Sequence, residues 1–226
     1  IRIMQYGFYT DEIIKFPPVQ DYTCNSHGYR THEFDSWDNH YIVLGESNVF
    51  GIDVPEHKTL CKKIEKKVGQ RTYNLGQPGA SCEEVVRLLY SFTDVPSPKK
   101  VIVVWPYFLR RNYQSHENIA PIRITGRAEP EYVKHIVNNT IDMNIAHFLQ
   151  QMFFVEQWCK WKNTTCAHFL LNSDDRFHLE TRKVRFDNLY THAFEDCARN
   201  VGQQHGHFGS AAHQAFADYI IGTLKL

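Results

Sequence analysis

Short unbroken apolar runs alternate along this chain with longer stretches in which apolar residues recur every three or four positions. Tyr41-Ile42-Val43-Leu44 is too short for a helix and suits a strand buried on both faces, so a first strand is predicted over 40–44. Leu60, Ile64 and Val68 share one helical face, and Gly69 stops that helix. A second strand is predicted over 71–75, broken by Gly76-Gln77-Pro78-Gly79. Ser81 precedes Glu84 by three residues, a capping box, and Val85, Val86, Leu88, Leu89 and Phe92 form the apolar face that follows. Val101-Ile102-Val103-Val104-Trp105 is rich in β-branched residues and predicts a central strand. Residues 106–129 have no period and predict a long loop. Pro130 opens a long predicted helix through Val133, Val137, Ile141, Ile145, Phe148, Met152 and Val155. A fourth strand is predicted over 164–171 and two more helices over 187–199 and 210–223, while 172–186 is polar and yields no element. Strands alternating with helices from residue 40 onward predict a parallel sheet covered on both faces, a three-layer α/β/α domain. Residues 1–39 are aromatic and polar, with Pro17-Pro18 and no period. They are expected to form an irregular N-terminal extension packed on a domain spanning 40–226.

Composition adds limits. A chain of 226 residues with 42% hydrophobic content suits one core. The formal net charge is zero, which leaves no broad field to attract nucleic acid or anionic lipid. Lys62, Lys63, Lys66 and Lys67 interleave with Ile64 and Val68 and read as the wet face of a helix. No apolar run approaches the ~20 residues of a transmembrane helix, so no membrane span is expected. The six cysteines include no C-x-x-C pair, and several lie in apolar runs, which suits reduced core thiols. With no signal peptide in a sequence that starts at Ile1, a cytoplasmic setting is expected, and the glycosylation sequons at Asn138 and Asn163 are read as chance.

Candidate chemistry gathers at one edge of the predicted sheet. Ser47 stands just past the first strand, at the carboxyl edge where open α/β sheets bind ligands, and Gly45 frees the turn before it. Acyl transfer by serine needs a nucleophile, a base and donors for the oxyanion. Gly76 follows the second strand, so its N–H is expected at the same edge, with room for a substrate to approach. His205, His207 and His213 cluster before the last helix. The bland readings are a solvated turn serine and a structural loop histidine. The three histidines as a metal site are a further alternative.

Gly45-Glu46-Ser47-Asn48 with Gly51 resembles the first block of the SGNH (GDSL-type) hydrolases. Tyr73-Asn74-Leu75-Gly76-Gln77-Pro78-Gly79-Ala80-Ser81 is similar to their second block, and His207-Phe208-Gly209-Ser210-Ala211-Ala212-His213 with Phe216-Ala217 to their last. Asn25-Ser26-His27-Gly28-Tyr29-Arg30 resembles an N-S-x-G-[FY]-R stretch found upstream of the serine in some members. The resemblance implies a flavodoxin-like doubly wound sheet and a Ser47–His207 pair. It also implies an oxyanion hole from the N–H groups of Ser47 and Gly76, no metal or cofactor, and a small-molecule, carbohydrate or lipid ester as substrate. The α/β-hydrolase elbow G-x-S-x-G fits less well, because position 49 is valine.

Two positions depart from that pattern. Tyr107 stands where the family's third block supplies an asparagine donor, with Arg110, Arg111 and Asn112 as nearby substitutes. Gln204 stands where the family places an aspartate three residues before the histidine, so Gln204 is assigned to orient His207 through its carbonyl oxygen, with Asp196 and Asp187 on the predicted helix upstream as the alternative carboxylates. Glu46 replaces the usual aspartate beside the serine. The expectation is a serine esterase whose acyl-enzyme is resolved by water or by an acceptor hydroxyl. The alternative is a catalytically impaired scaffold acting as a binding module.

Overall fold

The computed structural model describes residues 22–108, 110, 112–114, 119–121, 140–184, 186–198, 203–204 and 207–226, with 112–114, 119–121 and 203–204 as backbone only. In chain order its strands are β1 (Tyr41–Leu44), β2 (Thr72–Asn74), β3 (Lys100–Trp105), β4 (Asn112–Gln114), β5 (Ile119–Pro121), β6 (Thr165–Leu170), β7 (Leu189–Tyr190), β8 (Gln203–Gln204) and β9 (His207–Phe208). The α-helices are α1 (Ser47–Phe50), α2 (Leu60–Val68), α3 (Cys82–Ser91), α4 (Ile141–Trp161), α5 (Ser173–Thr181), α6 (Phe194–Ala198) and α7 (Ser210–Leu224). Five strands form one parallel sheet in the order β2-β1-β3-β6-β7. This is the expected flavodoxin-like, doubly wound order. The chain steps outward from β1 to β2 and then returns past β1 to β3, so the crevice between the carboxyl ends of β1 and β3 is the topological switch point.

Alternate strand residues serve opposite faces. Ile42, Leu44, Val101, Val103 and Trp105 pack with α3 and α4, through Val85, Leu89, Phe148, Met152 and Trp158. Val43, Ile102, Val104, Ala167 and Phe169 pack with α2, α6 and α7, through Leu60, Ile64, Phe194 and Phe216. Both faces of the sheet are therefore dry, which is why β1 and β3 read as unbroken apolar runs. Residues 22–39 contain no helix or strand and lie on the first of these cores. Tyr29 is buried, and Phe34 and Trp37 stack with centroids 5.3 Å apart against Tyr73 and Phe92.

Ser81 accepts the Glu84 N–H and Glu84 accepts the Ser81 N–H, so α3 begins with the predicted capping box. Gly69 closes α2 with φ 70°. Four expectations need correction. The long helix is capped at Thr140, whose extended backbone and side-chain bond to Met143 N–H start α4 at Ile141; the expected stretch from Pro130 to 139 lies outside the described residues. The segment expected as one helix over 187–199 splits into β7 and α6, because Asn188 offers its carbonyl to His168 N–H at the sheet edge and Asp196 caps the Ala193 N–H. Residues 173–181, left without an element, are the helix α5, and 106–129 contains the antiparallel pair β4–β5.

Candidate active site

Ser47 is the first residue of α1, directly past β1 at the switch point. Glu46 caps the helix. Its Oε1 accepts Asn48 N–H at 2.7 Å and Asn48 Nδ2 at 2.8 Å, while Oε2 accepts the Ser47 hydroxyl in a short contact and Arg110 Nη1 at 3.1 Å. A carboxylate suits this place because the first N–H groups of a helix lack partners. Arg110 compensates its charge at the otherwise buried position.

Two glycines let α1 settle on the sheet edge. A Cβ on Gly45 would strike Val49 Cγ2 and the Val104 carbonyl, and one on Gly76 would strike the backbone of Val49 and Phe50. This corrects the reading of Gly76: the group that approaches it is the α1 backbone, and its N–H donates to Asn74 Oδ1 at 3.0 Å. Gly79, in the following turn, has φ 79°, and neither its N–H nor that of Ser47 has an acceptor among the described residues. Gln77 N–H donates to the Gly45 carbonyl at 3.0 Å, which ties this turn to the one before Ser47.

The other half of the site comes from the far end of the chain. His207 lies in β9, and its Nε2 is 3.1 Å from Ser47 Oγ across 160 positions of sequence. Phe208 N–H donates to Asn48 Oδ1 at 3.0 Å, so Asn48 fixes β9 against α1. Ser47 has one hydroxyl hydrogen and two candidate acceptors. Directed to Glu46, it leaves His207 to donate from Nε2; directed to His207, it requires the proton of the neutral ring on Nδ1. Nδ1 makes no hydrogen bond among the described residues, and Asp53 Oδ2 is 3.7 Å from it.

The remaining candidates are dispersed. Tyr107 is half-buried against Phe108, and burial, helped by Asp175 and Asp174, raises its pKa. Asn112 lies in β4 and Gln204 in β8, where Gln204 pairs with His207 in the ladder; both are described as backbone only. Arg111 and His205 lie outside the described residues. His213 has a structural place: its Nδ1 accepts Leu60 N–H at 2.9 Å at the start of α2, and burial pushes its pKa down to about 3, so the ring is neutral. No group of three His, Cys, Asp or Glu residues suited to a metal occurs among the described residues. Sequence reasoning missed Asn48 and Asp53. Asn48 carried a signal in its place beside the serine; Asp53 carried none.

The class so defined is a three-layer α/β/α domain with a serine–histidine pair at the carboxyl edge of a doubly wound sheet. Solved structures share this fold. The psychrotrophic esterase EstA from Pseudoalteromonas sp. superposes with a TM-score of 0.54 at 11% identity, over 83% of this chain and 97% of its own. TesA gives 0.53 at 13% identity, over 82% and 98%. A carbohydrate esterase family 2 enzyme with a carbohydrate-binding domain, from Corynascus thermopiles (Myceliophthora fergusii), gives 0.52 at 13% identity, over 84% and 67%. No protein-family model and no curated protein sequence matches the chain.

Proposed function

We propose that this chain hydrolyses an ester, or transfers its acyl group, through an acyl-enzyme on Ser47. The observation that carries this reading is the 3.1 Å approach of His207 Nε2 to Ser47 Oγ at the switch point. His207 takes the hydroxyl proton as Oγ bonds the acyl carbon. The Ser47 N–H, at the start of α1, receives the developing oxyanion. Because Gly76 N–H is engaged, the second donor is assigned to Gly79 N–H. Collapse breaks the bond to the alcohol, which leaves with the proton from Nε2. Water or an acceptor hydroxyl then attacks the acyl-enzyme by the same steps in reverse. Two of the fold neighbours support an ester substrate by name: one is a carbohydrate esterase family 2 enzyme, and the other is the esterase EstA, whose structure is described as inhibited by monoethylphosphonate. A small-molecule or carbohydrate ester is the substrate class proposed.

Turnover of a short activated ester tests the reading. Ser47→Ala should abolish it, and His207→Ala should lower kcat by about 10²–10⁴. Undiminished turnover in Ser47→Ala would overturn it. A folded wild type inert towards esters would favour the binding-module alternative.

A further inference from the structure

A histidine that takes a proton on Nε2 works best when its far nitrogen is held by a negative partner. That partner selects the Nδ1–H tautomer and stabilises the imidazolium that forms. In His207 the far nitrogen is buried and makes no hydrogen bond among the described residues. The carboxylate beside it is Asp53, whose side chain is 13% exposed. Asp53 belongs to the loop that leaves α1, so it comes from the same segment as the nucleophile.

This loop is pinned in an unusual conformation. Asp53 has φ 62°, in the left-handed region, which Asp and Asn tolerate better than most residues. Its N–H donates to the Tyr22 hydroxyl at 2.9 Å. Arg30, almost fully buried, donates to the carbonyls of Phe50 at 3.3 Å, Gly51 at 2.5 Å and Val54 at 2.7 Å, which bracket Asp53. The Arg30 guanidinium also lies 4.6 Å from the centroid of the Tyr22 ring. Upstream, Asn25 Oδ1 accepts the His27 and Tyr29 N–H groups, which sets the turn that delivers Arg30.

We infer that Asp53, rather than Gln204, is the residue that positions His207 and stabilises its protonated form, and that the segment 22–30 holds Asp53 in place. This rests on the Ser47–His207 reading. Gln204 carries no charge and cannot stabilise the imidazolium. The 3.7 Å separation exceeds a hydrogen bond, as is common in catalytic sites without substrate, and closes when substrate orders the ring. Among the described residues, the other charges at the site are Glu46, bonded to Ser47 and paired with Arg110, and Arg30 beneath the Asp53 loop.

Asp53→Asn keeps the side-chain volume and tolerates the left-handed backbone, so it removes the charge alone. It should lower kcat by about 10²–10⁴ with KM changed by less than about threefold. The acid limb of the kcat/KM profile should move to lower pH, because a ring without its carboxylate is harder to protonate. Asp53→Gly, which also accepts positive φ, should regain activity on addition of formate but not chloride. Gln204→Ala should leave the pH profile in place, and Tyr22→Phe should lower kcat by a smaller factor in the same sense as Asp53→Asn. A labelled, ester-active wild type whose Asp53→Asn variant keeps both kcat and pH profile would overturn this inference alone. A wild type that neither reacts with a phosphonate nor turns over esters would remove the Ser47–His207 reading and this inference with it.

Discussion

At the scale of single residues, one amide joins the two ends of the chain. Asn48 donates from Nδ2 to Glu46 and accepts Phe208 N–H on Oδ1, so it orients the helix cap and the histidine strand together. Asn48→Asp removes the donor and places a second carboxylate beside Glu46. It should cost about 1–3 kcal/mol of stability and lower kcat at least tenfold with little change in KM, measured by denaturant unfolding and ester kinetics. Ser47 stood out as a candidate in the sequence by its place after the first apolar run, between Gly45 and Gly51, whereas His207 was set apart from His205 and His213 only by the family resemblance of the block it opens. Asp53 did not stand out, because its partner lies at the far end of the chain and its direction depends on a single left-handed backbone angle. The stretch from Asn25 to Arg30 has a recognisable local spacing, yet its work, clamping carbonyls of the Asp53 loop through Arg30, is a long-range contact that no local pattern announces.

At the scale of elements, the position of Ser47 depends on how closely α1 lies on the sheet. Gly76→Ala would push a methyl group into the backbone of Val49 and Phe50. It should cost about 1–3 kcal/mol, as overpacking does, shifting the urea midpoint with little change in slope, and lower kcat with it. β1, β3 and β6 were legible as apolar runs, α3 by its capping box and α2 by its terminal glycine. By contrast, α5 was hidden because its inward first turn carries Asp175 rather than an apolar residue. That carboxyl is buried, and burial pushes its pKa well above the usual range. β7 was hidden because two residues have no period; it exists through pairing with β6.

At the scale of the whole molecule, a buried histidine links stability to pH. His213 is fully buried in the seam between α2 and α7, and its pKa falls from 6.5 to about 3, chiefly through burial. Above pH 6.5 the ring is neutral in both states. As pH falls from there towards 3, the unfolded chain binds a proton that the folded chain refuses, so stability is lost by up to about 1.4 kcal/mol per pH unit. His40, lowered by burial, acts in the same direction. His213→Asn can keep the acceptor for Leu60 N–H without the titration. It should flatten the fall in unfolding free energy between pH 6 and 5, measured by urea unfolding at each pH.

Reaction with a fluorophosphonate, followed by intact mass and peptide mapping, tests the nucleophile most directly. The expected result is a single adduct on the peptide carrying Ser47, absent from Ser47→Ala and formed far more slowly in His207→Ala. An unmodified wild type, or an adduct that persists in Ser47→Ala, would contradict the assignment of Ser47 as the residue that carries the acyl group.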